Sequence, residues 1–272
     1  MQPSEKELEI RVNDIVVSYN DAGKEHPQTL IFIHGFPFNK NSWNPQVDFF
    51  RSRYRCITYD IRGFGSTHFG DQDLSIDLFA DDLDAFMDIL QIQSAVICGL
   101  SMGGYVALRA IIKYPHRFKG LILADTQCIA DSPEGREKRY KTIEQIEASG
   151  LDAYAEASLK NLFHENSLAN NKDIVNFIHQ TILNTSPATV TGALKALASR
   201  VETCSMLEEI QVPTLIVCGK DDKVTPPAQA EALKNGIANS TLQIINDAAH
   251  LSNFEQPVQF NAILDEYLKD FR

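Results

Sequence analysis

The chain has 272 residues, enough for one large α/β domain with an insertion and a substantial buried core. It carries 25 Lys and Arg against 36 Asp and Glu, a net charge of −11, which argues against nucleic acid or an anionic membrane surface as a partner. Its five cysteines are scattered with no Cys-x-x-Cys; Cys56, Cys98 and Cys218 lie in strand-like runs and read as small core hydrophobes. Met1 to Lys6 shows no basic-then-apolar signal pattern, and the longest apolar stretch is broken by Ser101, two glycines and Arg109. A reducing, cytoplasmic setting is therefore the expectation.

Leu8–Val12 and Ile15–Tyr19 flank Asn13-Asp14 and should pair as an antiparallel hairpin. The apolar run Leu30–Ile33 reads as a strand covered on both faces. It ends in His34-Gly35-Phe36-Pro37, which is either an ordinary turn or a loop that turns backbone N–H groups toward a reacting oxygen. After the strand Tyr54–Tyr59, Asp60-Ile61-Arg62-Gly63-Phe64-Gly65-Ser66 lacks any phosphate-binding glycine pattern and reads as a structural loop. Ser75 is placed to cap a helix whose apolar positions are Ile76, Phe79, Leu83, Phe86 and Leu90. Asp77, Asp81, Asp82, Asp84 and Asp88 lie mostly off that stripe. Without His or Cys in register they predict a solvated acidic face rather than a metal site.

The next stretch is the most informative. Ala95–Cys98 is strand-like, Tyr105 to Ile112 is helical, and between them lies Gly99-Leu100-Ser101-Met102-Gly103. Gly-x-Ser-x-Gly between a buried strand and a helix is the pattern of a nucleophile elbow, where side chains at the glycine positions would collide with the neighbouring strand or helix. Leu121–Ala124 follows as another strand closed by Asp125, so strand and helix alternate as in a parallel sheet with helices on both faces. From Asp131 to Val201 the pattern is helical, with Glu134–Ser149, Leu151–Phe163, Ile174–Leu183 and Pro187–Ser199 as the expected helices. Alternation resumes with the strand Thr214–Cys218, a helix reaching Lys234, the strand Thr241–Ile245 and a closing helix from Pro257 to Phe271. The domain reading is a core of 1–130 and 202–272 with a helical cap of 131–201.

In open parallel sheets ligands bind beyond the carboxyl ends of the strands. Ser101, Asp125, Asp221, Asp222 and His250 all fall there, in the order Ser, Asp, His. A hydroxyl needs an imidazole to take its proton, and the imidazole needs a carboxylate to fix its tautomer. On these residues and on His34-Gly35-Phe36-Pro37, Asp60 to Gly65 and Ala249-His250, the chain resembles the α/β-hydrolase superfamily over nearly its whole length. It looks most like the cofactor-free bacterial group that holds 3-oxoadipate enol-lactonases, small esterases and the perhydrolases once called non-haem haloperoxidases.

The resemblance implies an α/β-hydrolase fold with a mostly parallel eight-stranded sheet, helices on both faces and a helical cap inserted after the sixth strand. It implies Ser101 as nucleophile, His250 as base, Asp222 as acid, and Phe36 and Met102 as donors of oxyanion-hole N–H groups, with neither metal nor cofactor. Asp222 has the family's spacing from Gly219, Asp221 is its adjacent competitor, and Asp125 matches the acid position some relatives use. The expected partner is a small-molecule ester or lactone, not nucleic acid or membrane, and self-association into a homo-oligomer is left open. Perhydrolysis, carbon–carbon bond hydrolysis and a slow-turnover ligand sensor are the alternative functions. Tyr154, Leu159, Leu162, Phe163, Phe177 and Ile178 suit an apolar pocket, though packing within the insertion explains most of them better. Arg136, Lys138, Arg139 and Lys141 read as a solvated basic face.

Overall fold

In the computed structural model, which describes residues 7–271, eight strands form one sheet in the order β1-β2-β4-β3-β5-β6-β7-β8. The reading of Met1 to Lys6 lies outside the described residues. The strands are β1 (Leu8–Val12), β2 (Ile15–Ala22), β3 (Thr29–Ile33), β4 (Arg55–Tyr59), β5 (Ala95–Leu100), β6 (Phe118–Ala124), β7 (Thr214–Gly219) and β8 (Ser240–Ile245). β1 with β2 and β2 with β4 run antiparallel; every other pair is parallel. β2 runs three residues past Tyr19 because β4 offers it a partner, with Tyr19 opposite Tyr59 and Ala22 opposite Cys56. Sequence alternation could not show that partner. The central strands β5 and β7 are buried at every position, as continuous apolar runs covered on both faces require, whereas the edge strand β8 alternates.

The helices are α1 (Asn44–Phe50), α2 (Ile76–Ile89), α3 (Met102–Lys113), α4 (Pro133–Ser149), α5 (Asp152–Leu162), α6 (Glu165–Asn170), α7 (Lys172–Asn184), α8 (Pro187–Ser199), α9 (Pro227–Gly236), α10 (Ser252–Glu255) and α11 (Pro257–Leu268). One core layer joins the sheet to α2, α3 and α9, and a second joins its other face to α1 and α11. Five helices, α4 to α8, fill the connection from β6 to β7. They do not stand apart from the sheet domain: Leu159, Phe163, Ile174 and Ile178 share the second core layer with Phe32, Trp43 and Leu100. Only Ile143, Ile146, Leu151, Val190 and Leu194 make a small core of the insertion's own.

Two expectations are corrected. Ser75 does cap α2, accepting from the Leu78 N–H, but the acidic residues of that helix, of which Asp77, Asp81 and Asp88 stay substantially exposed, are more than a solvated face. α3 lies alongside and meets them with bases: Asp77 takes Arg109 at 2.6 Å, Asp81 takes Lys113, and Arg117 beyond α3 binds Asp84 at 2.6 Å and Asp88. Asp82 is buried against Arg62, which is itself buried and also grips Asp14. A helical wheel shows which side of a helix is polar but not what packs across from it.

Cysteine is the second correction. Cys56, Cys98 and Cys218 are free and buried, but Cys128 and Cys204 form a disulfide that joins the chain just before the insertion to the chain just after it. A structural disulfide belongs to oxidising surroundings far more often than to a reducing cytoplasm, so the compartment inferred from scattered cysteines loses its basis. No helix among the described residues is long and apolar enough to cross a membrane.

Candidate active site

The site is built where four parallel strands end. Ser101 follows β5 directly and holds a φ of 53° and a ψ of −114°, a conformation that costs a non-glycine residue about 1–3 kcal/mol. The surroundings make it obligatory. A Cβ on Gly99 would lie 2.3 Å from the Gly103 carbonyl oxygen, and one on Gly103 would lie 2.3 Å from the oxygen of Ile33, so strand, turn and helix approach as only glycines allow. The Ser101 N–H donates to Ala124 O at 2.9 Å, and the Thr126 hydroxyl donates to Ser101 O at 2.8 Å, locking the elbow to the end of β6.

Ser101 Oγ lies 2.8 Å from His250 Nε2, and His250 Nδ1 lies 2.8 Å from Asp222 Oδ2. All three residues are buried. Asp222, directly after the turn Lys220-Asp221 that follows β7, is itself held: its Oδ1 accepts the N–H groups of Val224 and Thr225, and its Oδ2 accepts the Thr225 hydroxyl. An ionised carboxylate facing Nδ1 fixes the imidazole tautomer, leaving Nε2 to accept the serine proton. Burial pushes the Asp222 carboxyl up, but the His250 charge and these donors outweigh it and set it below its ordinary value. For His250 burial pushes down, and Asp222, Asp125 and Glu255 together hold the imidazole above its usual value.

The competing carboxylates have other partners. Asp221 is exposed and faces His164 at 3.7 Å. Asp125 is wholly buried but accepts from the Gly219 N–H at 2.8 Å and from the N–H and hydroxyl of Ser252 at 3.1 and 2.6 Å. It thus ties the ends of β6 and β7 to the segment after His250. Burial first, then the nearby Asp222 charge, raise the Asp125 carboxyl well above the usual range. Asp125, Cys218 and Asp222 do bring ligand-type atoms within 4.8 Å of one another, but Asp222 and Asp125 are committed as described, and burial keeps the Cys218 thiol protonated.

Phe36 and Met102 border the same space as Ser101. Met102 opens α3, where the first N–H groups of a helix lack intrahelical partners. The loop bearing Phe36 is anchored by His34, whose Nδ1 bonds Gly35 O at 2.8 Å and whose Nε2 accepts from the Ile61 N–H at 3.0 Å. Complete burial depresses the His34 imidazole to about 4, so it stays neutral and structural. Asp60 fixes the next loop by accepting the Lys40 N–H, the Lys40 ammonium and the Ser66 N–H.

Ser101 and His250 open into a cavity of about 390 Å³ under the insertion. Of the apolar insertion residues singled out from sequence, Tyr154 and Leu162 line it. Leu159, Phe163 and Ile178 belong to the core, and Phe177 stacks on Phe254 with ring centroids 5.4 Å apart. Two of the four basic residues, Lys138 and Arg139, also line the cavity, so that part of α4 is not merely a solvated face. Lys223, Tyr105, Ser158 and Asn161 line it as well, and nothing in their sequence context marked them. Arg139 is paired to Asp131, which Arg200 also holds at 2.7 Å while lying over the Tyr105 ring.

An eight-stranded sheet with a serine on a strained turn after β5, a carboxylate after β7 and a histidine after β8 defines the α/β-hydrolase class. The chain matches the alpha/beta hydrolase fold family over residues 28–257 and belongs to it. It is 29% identical over 262 residues to 3-oxoadipate enol-lactonase 2 of Acinetobacter baylyi, with 96% of each chain covered. It is 31% identical to a thermophilic esterase of Thermogutta terrifontis, solved with malate bound, at a TM-score of 0.92 over 98% of this chain and 99% of that one. The enol-lactonase of Burkholderia xenovorans has the same fold, with a TM-score of 0.90 at 24% identity over 96% of this chain and all of that one. The chain is thus an alpha/beta hydrolase whose relatives include enzymes acting on ester bonds.

Proposed function

We propose that this protein is a serine hydrolase that cleaves a carboxylic ester or lactone of a small molecule through an acyl-enzyme. The observation that carries the reading is the unbroken chain Asp222–His250–Ser101, with both links at 2.8 Å, opening into the 390 Å³ cavity. His250 takes the Ser101 proton as Oγ adds to the carbonyl carbon. The N–H groups of Phe36 and Met102 receive the oxyanion, and Asp222 stabilises the imidazolium. The imidazolium then protonates the leaving alkoxide, and a water deprotonated by His250 hydrolyses the acyl-enzyme and restores Ser101. No step calls for a metal or cofactor.

Charge around the cavity supports a finer reading, in which the substrate carries a carboxylate away from the scissile bond. The chain has a net charge of −11, yet Lys138, Arg139 and Lys223 line this cavity with Asp131 as the only carboxylate among the described lining residues. Asp131 is already neutralised by Arg139 and Arg200. Lys138 and Lys223 make no ion pair among the described residues, so their field is available to an anion. The enol-lactonase and malate-bound esterase relatives fit that sign of charge.

The first test is steady-state hydrolysis of p-nitrophenyl esters from acetate to octanoate, wild type beside Ser101→Ala. Multiple turnover that disappears in the variant supports the serine-hydrolase reading; a single burst, or equal rates, sends the search to carbon–carbon substrates and the sensor alternative. The finer reading is tested by pairing p-nitrophenyl hexanoate with the p-nitrophenyl half-ester of adipic acid. Lys138→Gln with Lys223→Gln should lower kcat/KM for the half-ester roughly 3- to 10-fold relative to the neutral ester. Equal effects on both esters would remove the charge argument.

A further inference from the structure

A buried carboxylate that takes no part in the triad joins the catalytic histidine to the insertion. Glu255 ends the single turn α10, five residues after His250, and only 7% of it is exposed. Its Oε1 accepts the N–H of Ala249, the residue before His250, at 2.7 Å. Its Oε2 accepts the N–H of His164, in the turn between α5 and α6, at 2.8 Å. The Ser167 hydroxyl of α6 adds to these in favouring the charged form of the carboxylate. The His250 N–H itself donates to Leu162 O, the last residue of α5, at 3.1 Å. Two oxygens of one carboxylate are thus divided between the histidine loop and the insertion, and every donor to them is an N–H or O–H, the arrangement of an ionised acid.

We propose that Glu255 is a positioning residue, which ties the His250 loop to the insertion through Ala249 on one side and His164 and Ser167 on the other and so holds the imidazole in line with Ser101. The proposal rests on the serine-hydrolase reading for its kinetic consequence but not for its geometry. A carboxylate is needed rather than an amide, because an amide offers one acceptor oxygen and would turn its NH2 toward the second backbone N–H. A buried N–H left without an acceptor costs about 1–3 kcal/mol, enough to disturb the alignment of a loop whose other hydrogen bond to the insertion is the His250 N–H to Leu162 O.

Charge follows from the same placement. The groups facing His250 are Asp222 beyond β7, Asp125 beyond β6, Glu255 on α10, and the hydroxyls of Ser101 and Thr225. Glu255 in turn faces His164, which also meets Asp221 at 3.7 Å, and Ser167. Burial raises the Glu255 carboxyl, and the donors from Ser167, Ala249 and His164 oppose that rise. Removing its charge therefore makes the His250 imidazolium less favourable.

The test uses three variants. Glu255→Gln keeps the side-chain shape but removes one acceptor and the charge. His164→Pro deletes the single N–H on the insertion side; residue 164 has a φ of −63° and Phe163 before it is extended, so the backbone accepts proline there. His164→Ala loses the same side chain and keeps that N–H. On the best p-nitrophenyl ester, Glu255→Gln should lower kcat about tenfold with KM within about twofold, as expected when a reacting group is misplaced. The imidazole titration of His250, followed by NMR and assigned with His250→Asn, should shift about half a unit to lower pH in Glu255→Gln. His164→Pro should lose kcat where His164→Ala does not.

Wild-type kcat or an unmoved titration in Glu255→Gln, with only the melting temperature lowered, would make Glu255 a structural residue and overturn the proposal. Equal kcat in His164→Pro and His164→Ala would overturn the link to the insertion. If His164→Pro fails to fold, the Glu255→Gln pair of readouts decides alone. If the wild type turns over no ester, the hydrolase reading fails separately, and the NMR titration still tests the coupling.

Discussion

The carboxyl edge of the sheet and the helical insertion above it are held by different forces. At the edge, Ser101 and Asp222 follow strands buried on both faces, and backbone contacts leave little freedom: Ser101 sits on a turn where Cβ atoms at Gly99 and Gly103 have no room. In the insertion, α4 and α8 share a small apolar core while α5 and α7 borrow the core of the sheet domain. The surface these helices turn to the cavity is set by side-chain packing and ion pairs such as Asp131 with Arg139 and Arg200. The edge fixes what chemistry is available, and the insertion fixes what reaches it.

That division can be broken at the edge first. Ser101→Ala should lower turnover of a p-nitrophenyl ester roughly 10⁴-fold or more while the melting temperature stays near that of the wild type, because the elbow is fixed by its glycines rather than by the hydroxyl. Next comes a contrast between two buried carboxylates. Asp222→Asn should cost about 10³- to 10⁴-fold in kcat, since an amide cannot hold the required tautomer, whereas Asp125→Asn should cost far less because Asp125 bonds Gly219 and Ser252 and not His250. Comparable losses in the two would mean that Asp125 serves the imidazole directly.

The same pair predicts a pH effect on stability. The folded state holds the Asp125 proton more tightly than the unfolded chain does, so this group's contribution is full below the ordinary carboxylate range and is lost as pH rises through the raised folded value. Melting wild type and Asp125→Asn at pH 5 and pH 8 should show a steeper loss in the wild type. For activity, His250 must be neutral to accept a proton, and its folded value lies above the 6.5 of an ordinary imidazole. The acid limb of kcat/KM should therefore lie above pH 6.5.

Smaller effects are expected from the insertion. Cys128→Ser should lower stability by about 2–4 kcal/mol, measured by urea unfolding, because the disulfide closes the loop that contains the whole insertion. Its effect on kcat should be slight if the core shared by α5 and α7 with the sheet keeps the roof seated, and a large fall in kcat would show that the bridge, more than that core, positions it.

Residue order and glycine spacing by themselves determined the sheet, the elbow at Ser101 and the set of three from which the site is drawn. These are local rules: an apolar run long enough for a strand, glycines where the backbone has no room, and polar residues at strand ends. Sequence could not separate Asp222 from Asp221 by chemistry, since both are aspartates in one loop; the fold turns one to His250 and leaves the other exposed beside His164. Nor could it show that the acidic residues of α2 meet bases from α3, that Cys128 finds Cys204, or that Lys138 and Lys223 share a cavity. Glu255 carried no signal at all, being one glutamate in a short polar stretch. Each of these depends on which distant segments come together, and a side chain's partner across the molecule leaves no periodicity in its own neighbourhood.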